Sequence, residues 1–207
     1  MSNTRILPIT DPDAIPIAMT VLKADGLIVF PTETLYGLAG RINETSLHKI
    51  YAAKQRPEEK AIPVLVANLL QLNLLTPPPR PAVLALVRAF WPGPLTLVLP
   101  KLAGLPPSLT PYPGLAIRMP NHAFALQLLQ KTGPLAVTSA NISGNPNAAT
   151  AEEVHAQLGD RAALILDGGI HPGGQASTVI NCQGDVPLLL REGPIPLEAV
   201  EKTWQAA

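Results

Sequence analysis

The 207-residue sequence predicts an α/β fold, a twisted open sheet of mixed parallel and antiparallel strands flanked by helices. Three observations predict it. Short apolar runs bounded by turn residues recur along the chain and read as buried strands. Stretches with apolar residues at helical spacing separate most of these runs. Near the C-terminal end the apolar runs follow one another with little helix between them, which argues against a regular parallel sheet.

Asp11-Pro12-Asp13 opens the first helix, with aspartate as a cap candidate and proline tolerated in the first turn. Ile15, Ala18, Met19 and Leu22 fall on one face of it, and Gly26 follows its end. Leu27-Ile28-Val29-Phe30 reads as a buried strand, and residues 31–37 as a polar turn. A second helix runs over about residues 45–54 with Leu47, Ile50 and Tyr51 inward. Pro57 ends it, because the residue before a proline resists helix. Residues 64–66 form a strand and 69–75 a short helix. After Pro77-Pro78-Pro79, residues 82–90 are helical and 95–99 and 115–117 are strands, the latter ending in Arg118-Met119-Pro120. Residues 123–130 form a helix, and Leu135-Ala136-Val137 a strand that feeds Thr138-Ser139-Ala140-Asn141-Ile142-Ser143-Gly144. Thr150-Ala151-Glu152-Glu153 has the capping-box pattern of a helix start. Strands follow at 164–166, 178–180 and 187–190, and a helix at 196–204. The 24 prolines read as rigid turns, and the whole of 1–207 reads as one domain.

With 47% hydrophobic and 14% charged residues, the chain has material for a large core and is not disordered. Lys+Arg and Asp+Glu both number 15, so the chain as a whole is no electrostatic nucleic-acid binder, although a local basic cleft stays open. Cys182 is the one cysteine; it reads as a buried structural thiol in a reducing, cytoplasmic setting. His48, His122, His155 and His171 are scattered, with no pair at zinc-ligand spacing. His48 and His155 read as helix-surface residues and His122 as a helix-start residue. Residues 1–13 lack a signal-peptide core, and no apolar run is long enough for a bilayer, so no membrane partner is expected.

Several strands end in polar or basic residues: Thr32 and Thr34, Arg118, the stretch from Thr138 to Ser143, Ser177, and Arg191. Ligands in open α/β sheets bind at such ends. Converging, these residues make a pocket of hydroxyls, one amide and two guanidinium groups, to which Lys54, Arg56 and Lys60 add cations. Such a pocket suits a polyanion. Plainer readings stand beside this one. Lys54 and Arg56 suit helix C-terminal capping, the 138–144 stretch suits a polar turn, and Arg191 with Glu192 suits a surface ion pair. Arg118, directly after Leu-Ala-Ile, is costly there unless it finds a partner. Residues 169–176 mimic the spacing of a phosphate-binding loop, but Gln175 and Ala176 replace its lysine and hydroxyl, so they read as a flexible loop before Ser177. Ser139 and Ser143 lack a nucleophile elbow and read as binding groups.

Seven motifs in order then carry a resemblance. They are Phe30-Pro31-Thr32-Glu33-Thr34-Leu35-Tyr36-Gly37-Leu38, Lys54-Gln55-Arg56-Pro57, Trp91-Pro92-Gly93-Pro94-Leu95-Thr96, Ile117-Arg118-Met119-Pro120, Ser139-Ala140-Asn141-Ile142-Ser143-Gly144, Ser177-Thr178-Val179 and Arg191-Glu192-Gly193. With them the chain resembles the YrdC/TsaC-like threonylcarbamoyl-AMP synthases over nearly its whole length. The resemblance implies a YrdC-like sheet with a concave basic pocket. It also implies conversion of L-threonine, bicarbonate and ATP to threonylcarbamoyl-AMP and pyrophosphate, with a tRNA threonylcarbamoyl transferase as downstream partner. It implies catalytic roles for Lys54 and Arg56, and threonine contacts from Thr32, Tyr36, Arg118, Ser139 and Ser177. ATP contacts are implied for Lys54, Arg56, Lys60, Asn141, Ser143 and Arg191. Magnesium is expected with the triphosphate, without a dedicated carboxylate cluster and without a tightly bound cofactor; a closing loop is expected to shelter the intermediate.

The chain departs from the family pattern in three places. No histidine stands in Pro63-Val64-Leu65-Val66, Ala148-Ala149 replaces a Pro-Thr pair, and no C-terminal domain is expected before the end at Ala207. Other readings of the same residues are a double-stranded-RNA or tRNA-binding factor, a paralogue without synthase activity, and a hydrogenase-maturation carbamoyltransferase. One cysteine excludes the zinc-finger segment of the last.

Overall fold

A computed structural model of the chain describes residues 4–170 and 174–207. Its strands are β1 Arg5–Pro8, β2 Ile28–Phe30, β3 Gly37–Gly40, β4 Val64–Leu65, β5 Leu95–Pro100, β6 Gly114–Arg118, β7 Leu135–Ser139, β8 Leu164–Asp167, β9 Thr178–Asn181 and β10 Leu188–Arg191. Its α-helices are α1 Ala14–Lys23, α2 Glu44–Lys54, α3 Leu69–Leu72, α4 Pro81–Phe90, α5 Ala123–Thr132, α6 Ala151–Leu158 and α7 Leu197–Gln205. The strands join in one sheet of order β1-β8-β2-β3-β7-β4-β6-β5-β9-β10. Pairs β1/β8, β2/β8, β4/β6 and β5/β9 are parallel; β2/β3, β3/β7, β4/β7, β5/β6 and β9/β10 are antiparallel. The predicted mixed sheet is the observed one.

Strand side chains alternate between two faces, and the core divides accordingly. Leu27 and Val29 join the cluster that holds Leu47, Ile50, Leu86, Val154 and Val200, from α2, α4, α6 and α7. Ile28 and Phe30 point the other way, into the cluster that holds Ala14, Ala18, Leu22, Phe124 and Leu128 from α1 and α5. Side chains cap four helices, one of them α5 through His122. Asn43 accepts from Ser46 N (2.8 Å) at α2, Asn68 from Gln71 N (3.0 Å) at α3, and Thr150 from Glu153 N (3.2 Å) at α6. The capping box closes one residue early, with Glu153 Oε2 accepting from Ala149 N at 2.7 Å. At α1 the expected aspartate cap is absent; Asp11 Oδ1 accepts from Asp13 N (2.8 Å), shaping the turn that precedes the helix. α3 stops at Leu72, short of the expected 75, in turns closed by Leu75 N to Leu72 O (3.0 Å).

Two strands lie outside the sequence expectation. β1 is a sheet edge with only Leu7 buried, so it carries no alternation to read. β3 occupies the C-terminal end of the predicted polar turn and the residues beyond it, and it opens and closes on glycine. A Cβ at Gly37 would come within 2.7 Å of Val137, and one at Gly40 within 2.9 Å of Leu27 and 3.1 Å of Ser46. Glycine here lets the neighbouring strands and α2 close onto β3. Among the described residues no helix is long and apolar enough to cross a membrane.

The Gly193 segment lies flush on the start of β9. Thr178 Oγ1 donates to Ile195 O (2.8 Å) and accepts from Ile195 N (2.9 Å). A Cβ at Gly193 would meet Thr178 N at 2.2 Å and Ala176 O at 2.6 Å. Gly193→Ala is expected to lower the urea midpoint at unchanged m, a loss of about 1–3 kcal/mol from backbone that must move. A midpoint equal to that of the parent chain contradicts the close approach.

Candidate active site

A cavity of about 440 Å³ opens where the turn after β2 meets the ends of β6, β7 and β10 and the starts of β5 and β9. Arg118, the last residue of β6, is buried in its wall. Its Nη1 lies 2.6 Å from Glu33 Oε1, and its Nη2 donates to Thr34 Oγ1 at 3.2 Å. Burial pulls the Arg118 pKa down, and the Glu33 charge opposes that pull. The partner that a buried arginine demands is therefore Glu33, a residue the sequence reading did not single out.

The 31–37 turn takes its shape from Thr32. Its Oγ1 donates to Leu35 O (2.7 Å) and accepts from Leu35 N (3.2 Å) and Thr34 N (3.3 Å). Thr32 and Thr34 thereby face the cavity as wall residues. Tyr36 also lines it, but its hydroxyl is engaged elsewhere, 2.8 Å from Gly169 O, 3.2 Å from Asp167 Oδ1, and accepting from Gly168 N at 3.0 Å. Burial, reinforced by Asp167, pushes this phenol up to about 12, so it stays protonated.

Ser177 and Arg191 form a second wall. Arg191 donates through Nε (3.0 Å) and Nη2 (2.8 Å) to Ser177 O, and through Nη2 to Ser177 Oγ (3.0 Å). Ser177 Oγ lies 2.7 Å from Thr96 Oγ1. The ion pair of Arg191 with Glu192 does not form; the guanidinium turns back onto β9 instead. Burial and the nearby Arg118 charge both lower the Arg191 pKa. Arg56 completes the cationic lining. Its Nε donates to Lys60 O (3.1 Å) and its Nη2 to Ala61 O (2.8 Å), so it braces its own loop and does not cap α2.

Four of the residues expected in the site are not in this wall. Lys60 is exposed on the α2–β4 loop. Lys54 is almost wholly buried behind the 139–145 turn, where its Nζ donates to Ser139 O, Asn141 O and Asn141 Oδ1 (3.1 Å for the last). Asn141 is spent on the same turn: Oδ1 also accepts from Ser139 Oγ (2.6 Å), and Nδ2 donates to Asn145 O (2.7 Å). Ser143 N donates to Lys54 O (2.9 Å), and its Oγ is buried without a partner. Ser139 does reach the wall, together with Thr138, Thr96 and Asn147, the last two unforeseen as site residues. His171 lies outside the described residues, as does the centre of the 169–176 loop. The described end of that loop, Gly174, packs so closely on Thr34 that a Cβ would fall 2.2 Å from Thr34 O. Cys182 is buried with its thiol pushed up to about 12 by desolvation, the inert thiol expected of it. His122 caps α5 and His48 is exposed, both as expected; His155 is half-buried. Among the described residues no three His, Cys, Asp or Glu side chains come together as metal ligands.

Among the described residues the wall thus carries Arg56, Arg118 and Arg191, several hydroxyls, and no carboxylate of its own. Fold and site together define a mixed-sheet α/β protein with an arginine-lined cavity, chemistry that suits an anion. Residues 20–193 match the family model Sua5_yciO_yrdC, described as "Telomere recombination". The chain belongs to this Sua5/YciO/YrdC family. It is 43% identical over 202 residues to the threonylcarbamoyl-AMP synthase of Bacillus subtilis, covering 96% of this chain and 58% of the relative. It superposes on the crystal structure of Pyrococcus abyssi Sua5 complexed with L-threonine with a TM-score of 0.87, at 39% identity, over 91% of this chain and 56% of that one. For E. coli YciO the TM-score is 0.84 at 25% identity, over 97% and 100% of the two chains. The chain therefore spans somewhat more than half the length of the Bacillus and Pyrococcus relatives.

Lys54 gives the site a pH signature. Its three acceptors suit an ammonium, while burial and the Arg56 charge pull its pKa down to about 7. An unfolded lysine titrates near about 10.4, so between the two values the unfolded chain binds the extra proton. Stability therefore rises with pH in that window and is lost as pH falls toward 7. Lys54→Met is expected to flatten this slope, which reaches at most about 1.4 kcal/mol per pH unit between about pH 8 and 9.5. Urea titrations at several pH values check it; an unchanged slope in the variant contradicts the lowered Lys54 pKa.

Proposed function

We propose that the chain is a nucleotidyltransferase that makes threonylcarbamoyl-AMP and pyrophosphate from L-threonine, bicarbonate and ATP. The observation that carries this reading is the strand-end cavity with three arginines and no acid in its wall. The threonine complex of the Pyrococcus relative and the name of the Bacillus relative support it. Both reacting partners are anions. The carbamate of threonine attacks the α-phosphorus of ATP and pyrophosphate leaves, so positioning and charge neutralisation do the catalytic work.

In this reading Arg118 takes the carboxylate of threonine, and the hydroxyls of Thr32, Ser139 and Ser177 surround its side chain and amine. Tyr36 contributes its ring to the wall while its hydroxyl holds the 167–169 turn. Arg56 and Arg191 face the phosphates, and their forks suit phosphoryl oxygens. Lys54, Asn141 and Ser143 act from behind, by holding the turn that presents Ser139. Magnesium enters as the ion of the ATP substrate. A tRNA threonylcarbamoyl transferase consumes the product, and a cytoplasmic setting suits the single buried thiol.

Pyrophosphate release is expected to require threonine and bicarbonate together; release that ignores the omission of both overturns the reading. Arg56→Ala is expected to lower kcat/KM for ATP by about 10²–10³-fold, the scale of a lost charge-stabilising donor. An unchanged kcat/KM removes Arg56 from the site.

A further inference from the structure

We propose that Glu33 is the amine-handling group of the site, the acceptor for the α-ammonium of the amino-acid substrate and for the proton that must leave it. This rests on the synthase reading and deepens it. Among the described residues the cavity wall holds arginines and hydroxyls but neither carboxylate nor histidine. An α-amine is largely protonated at neutral pH and in that form is no nucleophile. The site therefore needs a base.

Glu33 stands between two wall residues, Thr32 and Thr34, and is bonded to a third, with its Oε1 2.6 Å from Arg118 Nη1. Its Oε2 is buried with no hydrogen-bond donor. A buried carboxylate oxygen left without a donor is costly, and a ligand ammonium supplies one. Rotation about the terminal bond of a glutamate is broad, so the carboxylate can exchange its two oxygens without strain. Arg118 and Glu33 together offer adjacent positive and negative charge, the complement of an amino-acid zwitterion. Two other buried polar atoms lack partners among the described residues, Ser143 Oγ and His155 Nδ1; like Glu33 they stand behind the wall, but Glu33 is bonded directly to the wall residue Arg118. Asp167, the acid beside Tyr36, already accepts from Gly169 N at 2.8 Å. The charged groups around Glu33 are Arg118 on β6 and, beyond it, Arg191 on β10.

The step balances. R–NH3+ and the Glu33 carboxylate give R–NH2 and the Glu33 carboxylic acid. R–NH2 and HCO3− then give R–NHCOO− and water, as a C–N bond forms, a C–OH bond breaks, and a nitrogen proton leaves in the water. The Glu33 acid returns its proton to solvent.

The test compares Glu33→Gln, isosteric and still an acceptor for Arg118, with the parent chain. Calorimetry uses L-threonine and 3-hydroxybutanoate, the same skeleton without the amine. Glu33→Gln is expected to weaken threonine about tenfold or more and to leave 3-hydroxybutanoate unchanged or tighter. Equal losses for both ligands would mean that Glu33 only positions Arg118, and overturn the proposal. In turnover at saturating threonine, Glu33→Gln is expected to fall about 10²-fold. It should recover by about tenfold per pH unit as free amine forms in solution. A deficit that is flat in pH overturns the base role. Should Glu33→Gln fail to fold, the parent chain alone still decides, because equal affinity for the two ligands leaves nothing for an amine acceptor to do. Failure of the synthase reading shows separately, as pyrophosphate release by the parent chain that ignores threonine, since the binding comparison needs no turnover.

Discussion

The ammonium of Lys54 is the joint on which the site depends. A lysine so deeply buried must find acceptors, and here three oxygens of Ser139 and Asn141 surround it. All three belong to the turn after β7, whereas Lys54 ends α2. One side chain therefore ties the helix end to the strand end. Two wall residues depend on that tie. Arg56 follows Lys54 by two positions and enters the cavity from the α2 side; Ser139 enters from the β7 side. The reciprocal bond from Ser143 N to Lys54 O fixes the backbone as well. Without the ammonium, the turn would keep the Ser139–Asn141 and Asn141–Asn145 bonds and the backbone bond to Lys54 O, but lose its side-chain tie to α2.

Sheet order explains why the remaining groups meet. β3 pairs β7 with Gly37 opposite Ser139, so the turn after β2 and the turn after β7 lie side by side. β4 pairs both β7 and β6, which sets Arg118 level with Leu65 and Leu135 across the sheet, and the turn after β2 reaches it through Glu33. β9 joins through β5, and β10 returns along β9 to set Arg191 on Ser177. Residues from positions 32 to 191 line one cavity in a sheet that mixes parallel and antiparallel pairings. A regular parallel sheet would place only strand C-termini there. This one also presents the starts of β5 and β9, through Thr96 and Ser177.

The fold was legible wherever burial wrote a pattern. Apolar β2, the apolar start of β8 and amphipathic α1, α4 and α5 stand where their runs and faces put them. β1 and β3 were not legible, the first because an edge strand buries one residue, the second because its glycines serve close packing and carry no periodicity. The site was legible as a set of residues but not as a set of directions. Motifs name Lys54, Asn141 and Arg118 alike, yet only Arg118 faces the cavity. Direction depends on which partners a side chain finds across the fold, and those partners lie 85 and 87 positions away for Lys54. Glu33 was hidden for the same reason: its meaning comes from Arg118, on the far side of the sequence.

The division of labour between cations follows from their chemistry. Desolvation lowers the pKa of Arg56, Arg118 and Arg191, but an arginine starts so high that it remains charged in the wall. Desolvation takes Lys54 to about 7, where a wall position would leave its charge dependent on small changes in pH. Behind the turn, the same lysine serves as a hydrogen-bond donor to three oxygens. The Arg118 charge lowers the Arg191 pKa, and Glu33 offsets the burial of Arg118 within the fold. A cavity lined by three arginines has the charge that suits an anionic ligand.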